Sequence, residues 1–150
     1  LGQVSQGIEP IWSNSYVKDI AKIKTTIKNP FLVDLLEEKG QNTTEVWRSI
    51  RDFDGSVQHL DFLSEHEKDV FKTYPEIDQT VIVYQAANRQ NHIDQGQSIN
   101  VMVHPDMPIK DVNNIYITAW KLGVKSMYYQ HSMNAAQKFK QKKSCDSCEG

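Results

Sequence analysis

Cysteine is almost missing from this 150-residue chain: Cys145 and Cys148, among the last six residues, are the only two. They cannot staple a core from there, and nothing else in the sequence suggests secretion, so a reducing cytoplasm is the expected compartment. An excess of one charge is also lacking. Lys plus Arg number 17 and Asp plus Glu 19, a formal net charge of −2, which gives no support to a nucleic-acid-binding surface. No apolar run approaches the roughly 20 residues that cross a bilayer, so no membrane span is expected. The opening Leu1-Gly2-Gln3 has no initiator Met, no basic region and no apolar run behind it. It does not read as a signal peptide; it reads as the interior of something longer.

What is present fits a globular fold. Apolar residues make up 39% and charged residues 24% of the chain, a balance seen in folded rather than disordered proteins, and the length suits one domain with a real core. Leu1 to Ser15 reads as a loop. Tyr16 to Ile27 is rich in β-branched residues and partly alternates like a strand, with a helix over Val17 to Lys24 as the alternative. Asn29-Pro30 starts a helix from Phe31 to Lys39 that Gly40 stops, with Leu32, Leu35 and Leu36 facing inward. Asn42 or Thr43 caps a second helix to about Arg51 that buries Val46, Trp47 and Ile50. Asp54-Gly55 marks a turn. Ser64 and Glu67 have capping-box spacing and open a helix to about Tyr74. Pro75 starts the next helix, apolar over much of its circumference, to about His92. None of these helices carries a cluster of candidate catalytic groups.

The last third is more informative. Ser98 to Val103 is β-rich, and Pro105 and Pro108 break it. Ile109 to Leu122 carries Val112, Ile115, Tyr116, Ala119 and Trp120 at the spacing of an amphipathic helix, closed by Gly123. Val124 to Tyr128 is the next expected strand. Strand, helix and strand within roughly 30 residues make a βαβ unit with parallel strands. Reaction sites in such folds lie beyond the carboxyl ends of strands, and Tyr128 and Tyr129 stand at such an end. Two adjacent tyrosines can simply pack and make one hydrogen bond, or they can lose an electron and a proton together. Neighbouring side chains on a regular strand point to opposite faces, so stacking these two rings requires the strand to end or distort there.

A short helix to about Lys140 and then a charged, mobile tail should follow. The C-x-x-C spacing of Cys145 and Cys148 suits a small redox disulfide with a lowered thiol pKa. A zinc half-site is the alternative, and it would need two more ligands. His59, His66, His92 and His104 show no metal-ligand spacing and read as surface or loop residues.

Four motifs then occur in order: Gly7-Ile8-Glu9-Pro10, Ile93-Asp94-Gln95-Gly96-Gln97-Ser98-Ile99-Asn100, the run from Trp120 to Tyr129, and Cys145-Asp146-Ser147-Cys148. Together they resemble the C-terminal portion of the large, catalytic (alpha) subunit of class I ribonucleotide reductase, phage and bacterial versions above all. The resemblance covers essentially the whole chain. It implies an α/β fold: residues 1–140 as the incomplete C-terminal part of a ten-stranded α/β barrel, and residues 141–150 as a flexible redox tail. It implies that Tyr128 and Tyr129 relay a radical from a small, metal-containing subunit to a barrel cysteine that attacks a ribonucleotide substrate. It implies that Cys145 and Cys148 re-reduce the active-site disulfide and are themselves regenerated by thioredoxin or glutaredoxin. It implies no cofactor or metal in this chain, the metal and radical source belonging to the family's small subunit. The expected location is the cytoplasm, or the host cytoplasm for a phage product.

The departures define what the chain lacks. The family's barrel cysteines, its N-terminal nucleotide-binding lobe and its diphosphate-cradling Ser/Thr loop have no counterpart here. The expectation is a piece that needs the remainder of the large subunit and is inactive alone. The competing reading is a non-catalytic α/β interaction module whose C-x-x-C tail binds zinc or a partner.

Overall fold

The computed structural model describes residues 7–20 and 23–132. It groups the chain into two compact units, Leu1–Glu76 and Ile77–Gly150.

The first unit begins with an antiparallel hairpin. Strand β1 (Ser15–Ile20) pairs with β2 (Ile23–Lys28) in the register Tyr16↔Ile27 and Lys18↔Thr25. The strand reading of this segment therefore holds over the helical alternative, as its β-branched content favours. Helix α1 (Pro30–Glu38) starts on the Asn29 side chain, which accepts from the amide of Phe31, and Gly40 takes up positive φ after its end. Helix α2 (Thr44–Asp52) is capped by Thr43, whose hydroxyl accepts from Val46. Leu32 and Leu36 of α1 meet Trp47 and Ile50 of α2 in a fully buried cluster, completed by Val57, Leu60, Leu63 and Phe71 from the following turns. The Trp47 indole is not left unsatisfied; it donates to Asn42 at 2.6 Å.

Helix α3 (Glu65–Val70) has the expected capping box but is shorter than its sequence suggests. The chain is drawn out of the helix just beyond it. The Glu76 carboxylate accepts from both the amide and the hydroxyl of Thr73, and the Tyr74 amide donates to Ile11. Pro75 consequently lies in a 3₁₀ turn, Tyr74–Glu76, rather than at the head of the next helix.

In the second unit, Asp78 caps α4 (Gln79–Gln90). The helix buries Ile82, Val83, Ala86 and Ala87, while Val81 and Tyr84 face outward, so it is amphipathic rather than buried all round. A two-residue strand, β3 (Val101–Met102), leads through the Pro105–Pro108 loop into α5 (Ile109–Lys121), and β4 (Gln130–His131) pairs with β3 in parallel. Val83, Val101, Val103, Ile115 and Ala119 form the core of this unit. Trp120, expected on the buried stripe of α5, is 75% exposed; the stripe that meets α4 is narrower than the apolar pattern. The strand–helix–strand order and its parallel pairing match the sequence pattern. Among the described residues there are two two-stranded sheets and no closed barrel.

Candidate functional site

The chain entering β4 carries the tyrosine pair, and its path differs from the expected strand Val124–Tyr128. The paired residues are later, with Val101 opposite Gln130 and Met102 opposite His131. Val124 to Tyr129 runs alongside without joining a regular ladder. Two backbone bonds still fix it: the Tyr128 amide donates to Ile99 at 2.8 Å, and the Tyr129 carbonyl accepts from Val101 at 2.9 Å. The pair therefore stands on the entry side of β4 rather than beyond its carboxyl end.

This irregularity is what lets the two rings meet. On a regular strand they would point to opposite faces. Here their centroids are 4.1 Å apart with the planes tilted by 56°. Both side chains are more than half exposed, at 57% for Tyr128 and 59% for Tyr129. A hydrogen bond with the Tyr129 side chain raises the pKa of the Tyr128 phenol, and the nearby charge of an ionised Tyr129 adds to the effect. A phenol held this way stays protonated at neutral pH and has a neighbour that can take part in moving its proton.

Two more side chains join the site without having been picked out from the sequence. The His131 ring stands edge-on to Tyr129 at 6.0 Å, as expected for residues two apart on one strand face. Tyr116 of α5 donates its hydroxyl to Gln130 at 2.9 Å. Residues i and i+2 of a strand could have been paired from the sequence; the Tyr116 contact depends on how α5 packs and could not.

Cys145 and Cys148, with the expected helix and tail that precede and contain them, lie outside the described residues. Of the other histidines, His66, His92 and His104 are exposed as expected. His59 is not a plain surface residue. It is partly buried, stacks on Phe53 with ring centroids 4.0 Å apart, and shares a hydrogen bond with Ser49. Burial lowers its pKa against the opposing pull of Asp61 and Glu76. Among the described residues, no group of three or more His, Cys, Asp or Glu side chains is placed to hold a metal ion, and no helix is long and apolar enough to cross a membrane.

A family model for the ribonucleotide reductase barrel domain matches residues 1–130, from the first residue through the tyrosine pair. The chain belongs to that family. A ribonucleoside-diphosphate reductase large subunit from Invertebrate iridescent virus 3 is 43% identical over 135 residues, covering 88% of this chain and 21% of the viral protein. The alpha subunit from Chlamydia trachomatis is 36% identical over 133 residues, covering 88% of this chain and 12% of its own length. Among solved structures, the class Id ribonucleotide reductase alpha subunit of Actinobacillus ureae is similar with a TM-score of 0.76 at 54% identity, covering 87% of this chain and 23% of that one. The chain thus spans roughly an eighth to a quarter of the length of these reductase relatives. Membership in the family supports the α/β fold class.

Proposed function

We propose that this chain is the C-terminal portion of the ten-stranded α/β barrel of a ribonucleoside-diphosphate reductase large subunit, and that it serves the conversion of ribonucleotides to deoxyribonucleotides. In this reading Tyr128 and Tyr129 are the radical-relay pair. Cys145 and Cys148 are the tail dithiol that reduces the active-site disulfide and is regenerated by thioredoxin or glutaredoxin. The remainder of the large subunit supplies the barrel cysteines and the substrate site. The small subunit supplies the metal and the radical.

The ring contact between Tyr128 and Tyr129 carries the proposal. A phenol that lost only an electron would become a poorly solvated cation, so its proton must leave with the electron. With the rings in contact at 4.1 Å and the Tyr129 side chain favouring the protonated Tyr128 phenol, a neutral phenol can give one electron and one proton to a neighbouring phenoxyl radical. The products are again one neutral phenol and one neutral phenoxyl, so no charge is stranded. The positions of the pair within the family match and the large-subunit relatives support the same reading.

The test replaces each tyrosine with Phe in the complete enzyme, large subunit with small subunit. Phe keeps the ring and removes only the hydroxyl that carries the proton. Turnover should be lost in each single variant while nucleotide binding is retained. Turnover near the wild-type rate in both would overturn the relay. Residues 1–150 by themselves should reduce no nucleotide with any reductant or small subunit, because they lack the barrel cysteines.

A further inference from the structure

The motif from Ile93 to Asn100 has so far had no role, although it is among the most distinctive runs in the sequence. Three of its hydrogen bonds converge on one buried side chain, that of Gln90, the last residue of α4. The Gln90 amide nitrogen donates to the carbonyls of Ile93 at 2.9 Å and Gln95 at 3.0 Å. Its oxygen accepts from the Gln97 side chain at 3.2 Å and from the backbone amide of Lys125 at 3.4 Å. One buried amide thus ties the end of α4, the 93–97 loop and the chain leading to Tyr128.

The same junction is closed from its outer side. The Lys125 ammonium donates to the carbonyls of Ile93 at 3.4 Å and Asp94 at 2.5 Å. Ser126 donates to the Gln97 carbonyl at 3.2 Å. Gln97 is itself held, donating to Ala86 at 2.8 Å and accepting from Arg89 at 3.1 Å. The approach is close enough that a Cβ on Gly96 would come within 2.5 Å of the Ser126 hydroxyl. Two residues beyond Ser126 come the backbone bonds that fix Tyr128 and Tyr129.

Taking the tyrosine pair as the relay proposed above, we infer that Gln90, together with the Ile93–Gln97 loop and Lys125, is a positioning clamp for Tyr128 and Tyr129. The clamp touches neither ring. It holds Lys125 and Ser126 against the loop, which keeps the following residues out of a regular ladder, and that irregular path is what brings the two rings onto one side. Gln90 and Lys125 are positioning residues. A regular strand in their place would separate the phenols, and transfer between redox partners is sensitive to displacements of an ångström.

The experiment uses the full-length large subunit containing this chain, assembled with its small subunit and carrying 3-fluorotyrosine at position 128. The ring fluorine reports the ionisation of that phenol, and fluorination brings its midpoint into a range that a folded protein tolerates. Gln90→Glu keeps the shape of the side chain but removes the amide donor to Ile93 and Gln95. Lys125→Met removes the outer closure at an exposed position and tests the clamp even where Gln90→Glu fails to fold. The expected result is a midpoint for Tyr128 shifted down, because the Tyr129 side chain no longer supports the protonated phenol, with turnover lowered about tenfold or more at unchanged KM. A merely structural role would leave the fluorine midpoint in place. An unchanged midpoint in folded Lys125→Met overturns the clamp, whatever happens to turnover. A shifted midpoint with full turnover supports the clamp and removes the relay reading on which its purpose rests.

Discussion

The amide of Val101 donates to the carbonyl of Tyr129 across 2.9 Å, so Tyr129 is anchored to buried β3 by its backbone while its ring stands largely in the open. Position and chemistry are thereby separated in one residue. Val101→Pro removes the donor and should displace both tyrosines. The cost should be about 1–3 kcal/mol from the lost bond and its orphaned carbonyl, read by chemical denaturation of the full-length subunit, with turnover lost as well. Tyr129→Phe should abolish turnover at a stability cost of no more than about 0.5–1.5 kcal/mol. Equal destabilisation by the two substitutions would mean that the hydroxyl, not the backbone, holds the residue.

The tail cysteines separate a shuttle from a metal site. Replacing Cys145 or Cys148 with Ser in the complete enzyme should stop turnover driven by thioredoxin or glutaredoxin and leave the first turnover of pre-reduced enzyme intact. Lys142 and Lys143 nearby favour the thiolate, and a tethered dithiol works at an effective concentration on the order of millimolar. A small dithiol that enters the site directly should restore part of the continued turnover. Full thioredoxin-driven activity in the double variant would exclude the shuttle.

Glu67 gives a pH signature. The Ser64 backbone amide, then the Lys39 ammonium and the Ser64 hydroxyl, hold its carboxyl down to about 2, from an ordinary 4.5. The Lys39 contact is 3.0 Å long. The folded value lies below the unfolded one, so the carboxylate's stabilisation is complete above about 4.5 and is lost as the pH falls from there through about 2. Thermal melting across that window should show a smaller loss for Glu67→Gln than for the wild type. An identical pH profile for both would show that the ionised Glu67 carboxylate contributes nothing to the folded state.

Asn14 should be as sensitive as a core residue. It is buried, donates to the carbonyls of Gly55 and Phe71 at 2.9 and 2.8 Å, and accepts from the Asn29 side chain at 2.9 Å. Asn14→Ala removes three hydrogen bonds; Gly55 keeps the backbone amide of residue 14, but the Phe71 carbonyl and the Asn29 amide lose this partner. The change should cost at least about 1–3 kcal/mol, comparable with the low end of about 2–5 kcal/mol expected for Leu36→Ala in the adjoining core. Denaturation midpoints of the two variants would compare them directly.

Asn14 also shows where the sequence stops being legible. It lies in a segment that reads as a loop, and its partners are 41 and 57 residues away, so no local pattern marks it. Features set by neighbours within a turn or two of the chain were legible: the Asn29, Thr43 and Ser64 caps, the Gly40 stop, the Leu32–Leu36 and Trp47–Ile50 faces, and the parallel strand–helix–strand unit. What went astray was decided by distant contacts. The bond from the Tyr74 amide to Ile11, sixty-three residues back, ends α3 early and leaves Pro75 in a 3₁₀ turn. Packing on α4 leaves Trp120 outside the buried stripe. Gln90, Lys125 and Ser126 bond to the chain around the 93–97 loop, and the β4 ladder begins only at Gln130, two residues beyond the expected end of that strand at Tyr128. The tyrosine pair itself was legible as two adjacent phenols near a strand, and its ring contact depends on that same displacement.

The parallel ladder has a consequence for the order in which the chain is made. Its halves, Val101–Met102 and Gln130–His131, are separated by the whole of α5, and synthesis runs from the N-terminus. The first unit and α4 can settle while the tyrosines do not yet exist. Tyr128 and Tyr129 acquire their backbone anchors on Ile99 and Val101 only when a loop of nearly thirty residues has closed. A chain released before Gln130 and His131 are added would therefore have its helices but not the ladder partners of Val101 and Met102, leaving the tyrosine segment held by its two anchor bonds alone.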